Sequence, residues 1–477
     1  MKASRRPTTR QLCHITAATI LLGISGCSFA PPYERPGLPV PQTYADAVEG
    51  TSIANYDWRT FFRDAQLQRL ITDALANNRD IRLAAARVAE ARGAWRIEGA
   101  ALYPQLDGVA TGTRGRTLIA GTEQSVDIRQ ITAQLSASWD IDFWGRLRNL
   151  REAARERYLA SEESRRAVAT DLIGQIALGY LLEREYEERA ALARQSLTTR
   201  EDSLRIMRRR YEVGSGTRLD MAQAEILMNQ AQLTLQAMDQ DRAVNRNALA
   251  LLVGSPVDIA PGTLGLAGDA LPDFTPPPGL PSELLVNRPD VVAAEYQLRA
   301  ANADIGAARA AFFPNISLTG AFGTSSSDLD GLFASGTDAW TFTPTVSLPI
   351  FNAGRLAGNL DVARARREQA VATYERTIQS AFRDVADALV RRRQLALQID
   401  TTRRLVSAQR ERGRLAQLRF DNGRSAYLEV LDAQRDLFDA EQTLVQLRRA
   451  ELASIVALYS ALGGGFPVNT RAITEGQ

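Results

Sequence analysis

Hydrophobic and polar residues alternate without a fault over residues 131–141 (ITAQLSASWDI), with Ile131, Ala133, Leu135, Ala137, Trp139 and Ile141 on one face and Thr, Gln, Ser and Asp on the other. Residues 340–350 (WTFTPTVSLPI) repeat the pattern in the same phase after a shift of 209. A period of two marks a strand with two unlike faces. Weaker partners precede each run, so the pattern predicts two hairpins, with strands at about 105–119 and 127–141 and at about 315–324 and 338–350. Elsewhere the period is helical. From Arg146 to Arg210 there is no proline, and the run is rich in Ala, Arg, Glu and Leu; this predicts a helix of about 65 residues, roughly 100 Å at 1.5 Å per residue. Its twin runs from Arg355 to about Arg419, and charges spread through both keep them out of a membrane. Heptad traces (Ala190, Leu197, Leu204, Tyr211; Leu219, Ile226, Leu233; Leu431, Phe438, Val445, Leu452, Tyr459) fit an ordinary long coiled coil as well as a larger helical assembly.

The shift of 209 aligns far more than the strands. Gly145-Arg146 falls on Gly354-Arg355, Tyr211 on Phe420, Gly214 on Gly423, Leu219 on Leu428 and Gly254 on Gly463. The chain is an internal repeat, each half reading helix, strand pair, very long helix, turn, helix. The 36-residue segment 218–253 and the 25-residue segment 289–313 together nearly match one long helix, so pairs of short helices can lie beside each long one. This divides the chain into a first repeat (61–260), a Pro- and Gly-rich equatorial linker (254–281), a second repeat (282–466) and a tail (467–477).

Eleven residues are about what a tilted strand needs to cross a bilayer. Trp139, Phe143, Trp144, Trp340, Phe342 and Phe351 are placed to supply aromatic girdles. A soluble β-sandwich would alternate equally well; the length favours the membrane. Four strands cannot close a barrel, and open edges are not tolerated in lipid. Transmembrane strands here would therefore force several protomers to share one barrel.

Composition and the N-terminus narrow the chemistry. A chain of 477 residues, 45% hydrophobic, can bury a sizeable core. Residues 1–26 read as a secretory leader: Lys2, Arg5, Arg6 and Arg10, then an apolar run ending ATILLGISG. Those four cations more than account for the formal net charge of +2, so nothing points to a nucleic-acid partner. Ile24-Ser25-Gly26-Cys27 has the form of a bacterial lipobox, which makes Cys27 the expected carrier of a diacylglyceryl and N-acyl lipid; an ordinary leader with a chance cysteine is the alternative. Ser28 after the cysteine favours the outer membrane, and the proline-rich residues that follow make 27–60 a tether. His14 and Cys13 leave with the leader, and the mature chain then has no imidazole and one thiol. That excludes Ser-His-Asp and Cys-His nucleophiles, His-ligated metals and disulfides, and GSGT and LGGG read as a turn and a helix end. No enzyme, cofactor or metal site is expected.

Several blocks together carry a family resemblance: the lipobox with PPYERP, DWRTFFRDAQLQRLITDALANNRDIRLAAARVAEARG, NRPDVVAAEYQLRAANADIGAARAAFFPNISLTG, YLEVLDAQ and LYSALGGG. They resemble the TolC/OprM-like outer-membrane factors of tripartite efflux and secretion systems, in the lipoprotein branch that works with RND-type pumps. One departure is Ala30-Pro31-Pro32-Tyr33, where many relatives have an acidic residue before the tyrosine. The resemblance implies a mainly α homotrimer in which a 12-stranded transmembrane β-barrel, four strands per protomer, continues into a trimeric α-barrel of long coiled-coil helices in the periplasm. It implies a passive, outer-membrane efflux conduit fed by an inner-membrane RND-type transporter and a periplasmic adaptor. Type I protein secretion or metal efflux is the alternative within the fold, and a lipid-anchored coiled-coil scaffold or adhesin the alternative outside it.

The resemblance also implies sites. The turns at Gly214, Ser215, Gly216 and Thr217 and at Gly423, Arg424 and Ser425 match the adaptor-docking tips. Leu428 and Asp432 match residues that ring a closed aperture, and Arg435 helps to lock it. Leu428 and Asp432 are four apart and share a helix face, so three copies would form an apolar ring and a carboxylate ring. The plain alternative is that Asp432 complements the positive end of its helix. The first-half equivalents, Leu219 and Gln223, lack the charge.

Overall fold

The computed structural model describes residues 28–41, 43–44, 57–118, 125–261 and 284–464. The expected leader, Cys27, most of the 254–281 linker and the 467–477 tail lie outside these residues. Helices α1 (Trp58–Phe61), α2 (Ala65–Asn77) and α3 (Arg79–Ala100) lead into strands β1 (Gln105–Leu118) and β2 (Ser125–Ile141), then α4 (Arg146–Glu212) and α5 (Arg218–Val253). The second half gives α6 (Leu284–Asn287), α7 (Pro289–Ala310), β3 (Asn315–Ser326), β4 (Asp338–Ser347), α8 (Arg355–Asp421) and α9 (Tyr427–Ala461). The long helices α4 and α8 are each 67 residues. Two boundaries move: β2 begins at Ser125 and β3 runs on to Ser326. The expected strand end at 350 is wrong, because Pro349 has no N–H for a ladder and β4 stops at Ser347.

The described chain forms two compact units. The first contains the residues up to Pro36, Arg87–Ser161 and Ala294–Tyr374. Its strands form one antiparallel sheet in the order β1-β2-β3-β4, so the two expected hairpins are joined by pairing of β2 with β3. Pro344 lies opposite Leu318 on β4, the outermost strand of the sheet within one protomer. The register sorts the faces across all four strands. Rows Leu106–Ala137–Gly320–Phe342 and Gly108–Leu135–Phe322–Trp340 share one face with Trp139–Leu318–Pro344 and Ile141–Ile316–Val346. The intervening rows, Gln105–Ser138–Thr319–Thr343 and Asp107–Ser136–Ala321–Thr341, are predominantly polar. On the apolar face Phe322, Trp340, Phe342 and Val346 are 62–72% exposed. Toward the β1–β2 loop that face gives way to charge, with ion pairs Arg116–Asp127 at 2.7 Å and Arg129–Asp328 at 2.8 Å.

Below the sheet, Ala153 of α4 and Ala300 and Ala303 of α7 are buried against one another, small side chains that let the two helices approach closely. The start of the expected tether is docked on α7. Phe29 stacks on Phe313 with centroids 4.6 Å apart, and its carbonyl accepts from Arg309 at 3.1 Å. Asn302 donates to the Pro31 carbonyl at 2.8 Å. Further along, the Tyr33 hydroxyl donates to Glu295 at 3.1 Å and Arg35 to the same carboxylate at 2.8 Å. Burial alone would raise the Glu295 carboxyl, but hydrogen bonds from Arg299 and Arg35 outweigh it and hold the group below its usual range.

The second unit contains Gly37–Ala86, Glu162–Ala293 and the residues from Glu375. Here the repeat is visible in the packing. Gly254 (φ 79°) and Gly463 (φ 103°) end α5 and α9, and a Cβ at either would collide with the carbonyl of Asn77 or of Asn287. The same junction is tied by different chemistry in each half. Asn78 donates to the Leu252 carbonyl at 2.8 Å, whereas Arg288 donates to the Ala461 carbonyl at 3.2 Å and also to Asp290 and Asp384. The core beside it is aromatic, with Phe61 stacked on Tyr459 at 4.3 Å.

Candidate functional site: two hairpin turns and the seam between them

The two turns are near copies. After α4, Gly214 N–H donates to the Tyr211 carbonyl at 3.0 Å and Ser215 N–H to the Arg210 carbonyl at 2.8 Å. After α8, Gly423 N–H donates to Phe420 at 2.8 Å and Arg424 N–H to Arg419 at 2.8 Å. Both are the paired bonds of a left-handed helix end, which is why glycine, at φ 75° and 67°, occupies the third position. Gly216 lies so close to Arg210 that a side chain there would press on its Cβ at 3.0 Å. The turns differ at the next helix. Thr217 accepts from the Asp220 amide at 3.1 Å while Asp220 accepts from the Thr217 amide at 3.2 Å, a complete capping box. Ala426 caps α9 with no side-chain bond, and the Ser425 hydroxyl beside it has no hydrogen-bond partner among the described residues.

Leu428 and Asp432 follow on the first turns of α9. Leu428 is 46% exposed and the Asp432 side chain 39%. Arg435 reaches Asp432 at 3.3 Å and Asp436 at 3.1 Å, all on one helix. Within the protomer Arg435 therefore screens the carboxylate and does not tie α9 to another element. That role belongs to residues the sequence reading missed: Arg412 of α8 pairs with Asp436 at 2.6 Å, and Arg410 with Glu441 at 2.8 Å. Hydrogen bonding from Arg412 holds the Asp436 carboxyl below its ordinary range.

The hairpins meet in a cluster of Leu204, Met207, Ala224, Ala416, Tyr427, Val430, Leu431 and Ala433. Arg210 of α4 lies over the Phe420 ring of α8 at 5.0 Å, and Phe420 packs on Tyr427 at 4.8 Å. Burial raises the Tyr427 phenol. Among the described residues no group of three or more His, Cys, Asp or Glu is placed to hold a metal ion. Cys27 lies outside the described residues.

The sequence profile described as "Outer membrane efflux protein" matches residues 70–255 and 280–464. The chain is 44% identical over 461 residues to the toluene efflux pump outer membrane protein TtgI of Pseudomonas putida, covering 94% of this chain and 97% of that protein. It is 41% identical over 459 residues to the cation efflux system protein CusC of Escherichia coli O6:H1, covering 95% and 99%. Among solved structures, the open state of the MtrE outer membrane channel of Neisseria gonorrhoeae superposes with a TM-score of 0.83 at 38% identity, covering 92% of this chain and 98% of that one.

Proposed function

The chain belongs to the outer membrane efflux protein family, and from that membership we propose that it is the outer-membrane channel of a tripartite efflux system, a passive trimeric conduit gated at its periplasmic tip. The observation that carries this is the sheet: four strands with one face apolar and the other mostly polar, and two unpaired edges. Eleven residues from Ile131 to Ile141 at about 3.3 Å each span about 33–36 Å, and a tilt of about 40° brings that near the roughly 25 Å apolar band of a membrane barrel. Pairing β4 of one copy with β1 of the next closes the edges, and three copies give twelve strands.

The docked N-terminus supports lipid on Cys27. Phe29 stacks on Phe313 and lies 6.4 Å from Trp144, residues at the start of β3 and the end of β2. Acyl chains on Cys27 enter the bilayer beside the apolar band. At the hairpin turns, three Leu428 and three Asp432 side chains form the aperture, Arg435 screening the carboxylates, and both glycine turns offer docking points to a periplasmic adaptor whose partner is an RND-type inner-membrane transporter. Relatives named for toluene and for cation efflux stand at 44% and 41% identity, so cargo choice rests with the pump. The test is the particle itself: full-length protein in detergent should weigh three protomers and conduct in planar bilayers. Monomeric, water-soluble protein after Cys27→Ser, with no conductance, would sink the conduit.

A further inference from the structure

Polar contacts along the seam between α4 and α9 fall into two zones. Farther from the turns each charge has a partner. Arg189 donates to Gln442 at 2.7 Å and to Glu185 at 2.9 Å, Arg449 to Glu185 at 2.8 Å, and Arg448 to Glu188 at 3.5 Å. Nearer the turns stands Arg200, 5% exposed. Its guanidinium donates to the Leu227 carbonyl of α5 at 2.8 Å and lies 5.8 Å from the Phe438 ring of α9. It has no ion-pair partner among the described residues: Asp439 and Arg435 act on it only from a distance, with opposite signs.

A buried charge answered by one carbonyl and a ring face is a poor contact for a packed seam, because separation returns it to water. An apolar side chain of similar volume in the same place is commonly neutral or stabilising. The apolar cluster around Tyr427 and Leu431 pulls the other way. The seam thus has a polar part, at Gln442, Arg448 and Arg449, and, between that anchor and the turn, an apolar part with a Tyr427–Ser203 hydrogen bond, into which the Arg200 charge is set.

We propose that Arg200 is a positioning residue of the gate: its buried, unpaired charge favours separation of α9 from the α4–α5 hairpin on the turn side of Gln442, and so biases the aperture toward opening. This rests on the gate reading above. Arg200→Met removes the charge and keeps the apolar stem; Arg200→Lys keeps the charge. In planar bilayers, Arg200→Met in the full-length trimer should lower open probability about threefold or more, with Arg200→Lys near wild type. The neutral Arg200→Gln is the second variant and should fall in the same direction. A residue that only stabilised the fold would shift trimer dissociation temperature without separating the neutral from the charged variants. Open probability unchanged or raised in both neutral variants, or a lysine variant that behaves like them, overturns the proposal. Asp432→Ala, measured alongside, separates the two ideas: if it leaves conductance unchanged the gate reading fails, and if it opens the channel while the neutral Arg200 variants do not close it, only the Arg200 inference fails.

Discussion

At the α4–α5 turn Thr217 and Asp220 satisfy the opening amides of α5 between them, whereas 209 residues later the same two positions hold Ala426 and Glu429, and α9 begins without a side-chain cap. The backbone bonds of the turns match pair for pair. An N-cap of this kind contributes about 0.5–2 kcal/mol, so the second hairpin starts its return helix with that much less local stability. It is held instead by the apolar cluster that buries Tyr427, Val430, Leu431 and Ala433 and by ion pairs with part-exposed partners, Arg412–Asp436, Arg410–Glu441 and Arg419–Glu429 at 3.8 Å, each pair of small and salt-dependent value. One sequence plan thus yields a return helix with a side-chain cap and another without one, and the uncapped one carries Leu428 and Asp432, the proposed gate. Elements that move are drawn from the low-stability end of a fold.

The comparison is sharpest at the gate. Asp432→Ala should raise single-channel conductance about twofold or more, whereas Gln223→Ala, at the matching position of the first hairpin, should leave it alone. Equal effects would erase the functional difference between the turns. The caps come next. Thr217→Ala should lose about 1 kcal/mol of local stability, read as faster amide exchange in the first turn of α5, and Ala426→Ser should slow exchange in α9 by a smaller amount. If adding the missing cap to α9 also reduces channel openings, cap strength and gating are one variable. If exchange slows and openings do not change, the two are separate.

Much of this was legible before any coordinates. The proline-free run from Arg146 and its copy from Arg355 announce the long helices, and Gly214 and Gly423 announce their ends, because left-handed helix termini leave almost no choice but glycine. The alternation over 131–141 gave the faces of the sheet. It did not give the β2–β3 pairing, which depends on the partner strand nearly two hundred residues away. Nor did proline-rich residues 28–36 announce their dock, since their partners, Glu295, Asn302 and Arg309, are set by a helix in the other repeat. Arg200 hid among arginines, but one signal was present. It stands three residues after Leu197 and four before Leu204, so a charged side chain occupies the apolar stripe of the helix. Likewise Thr217-x-x-Asp220 has the spacing of a capping box, and its absence around Ala426 was there to be read.

The smallest effect concerns acid. The hydrogen bond from Arg412 holds the Asp436 carboxyl below the ordinary aspartate range, with burial opposing and Arg435 assisting. A carboxyl depressed in the folded state stabilises fully above its unfolded value and loses that contribution as pH falls through the folded one. The α8–α9 hairpin should therefore lose this contribution as pH drops below the ordinary aspartate range. Because both partners of the pair keep part of their surface in water, the change in amide exchange on α9 should be small, about two- to fivefold. Asp436→Asn should weaken the acid response of that helix and leave exchange at the α5 turn unchanged at neutral pH. An α5 turn that loosens at neutral pH in the Asp436→Asn variant, in step with α9, would mean that the two hairpins are one cooperative unit, and the difference between their caps would then have no mechanical consequence.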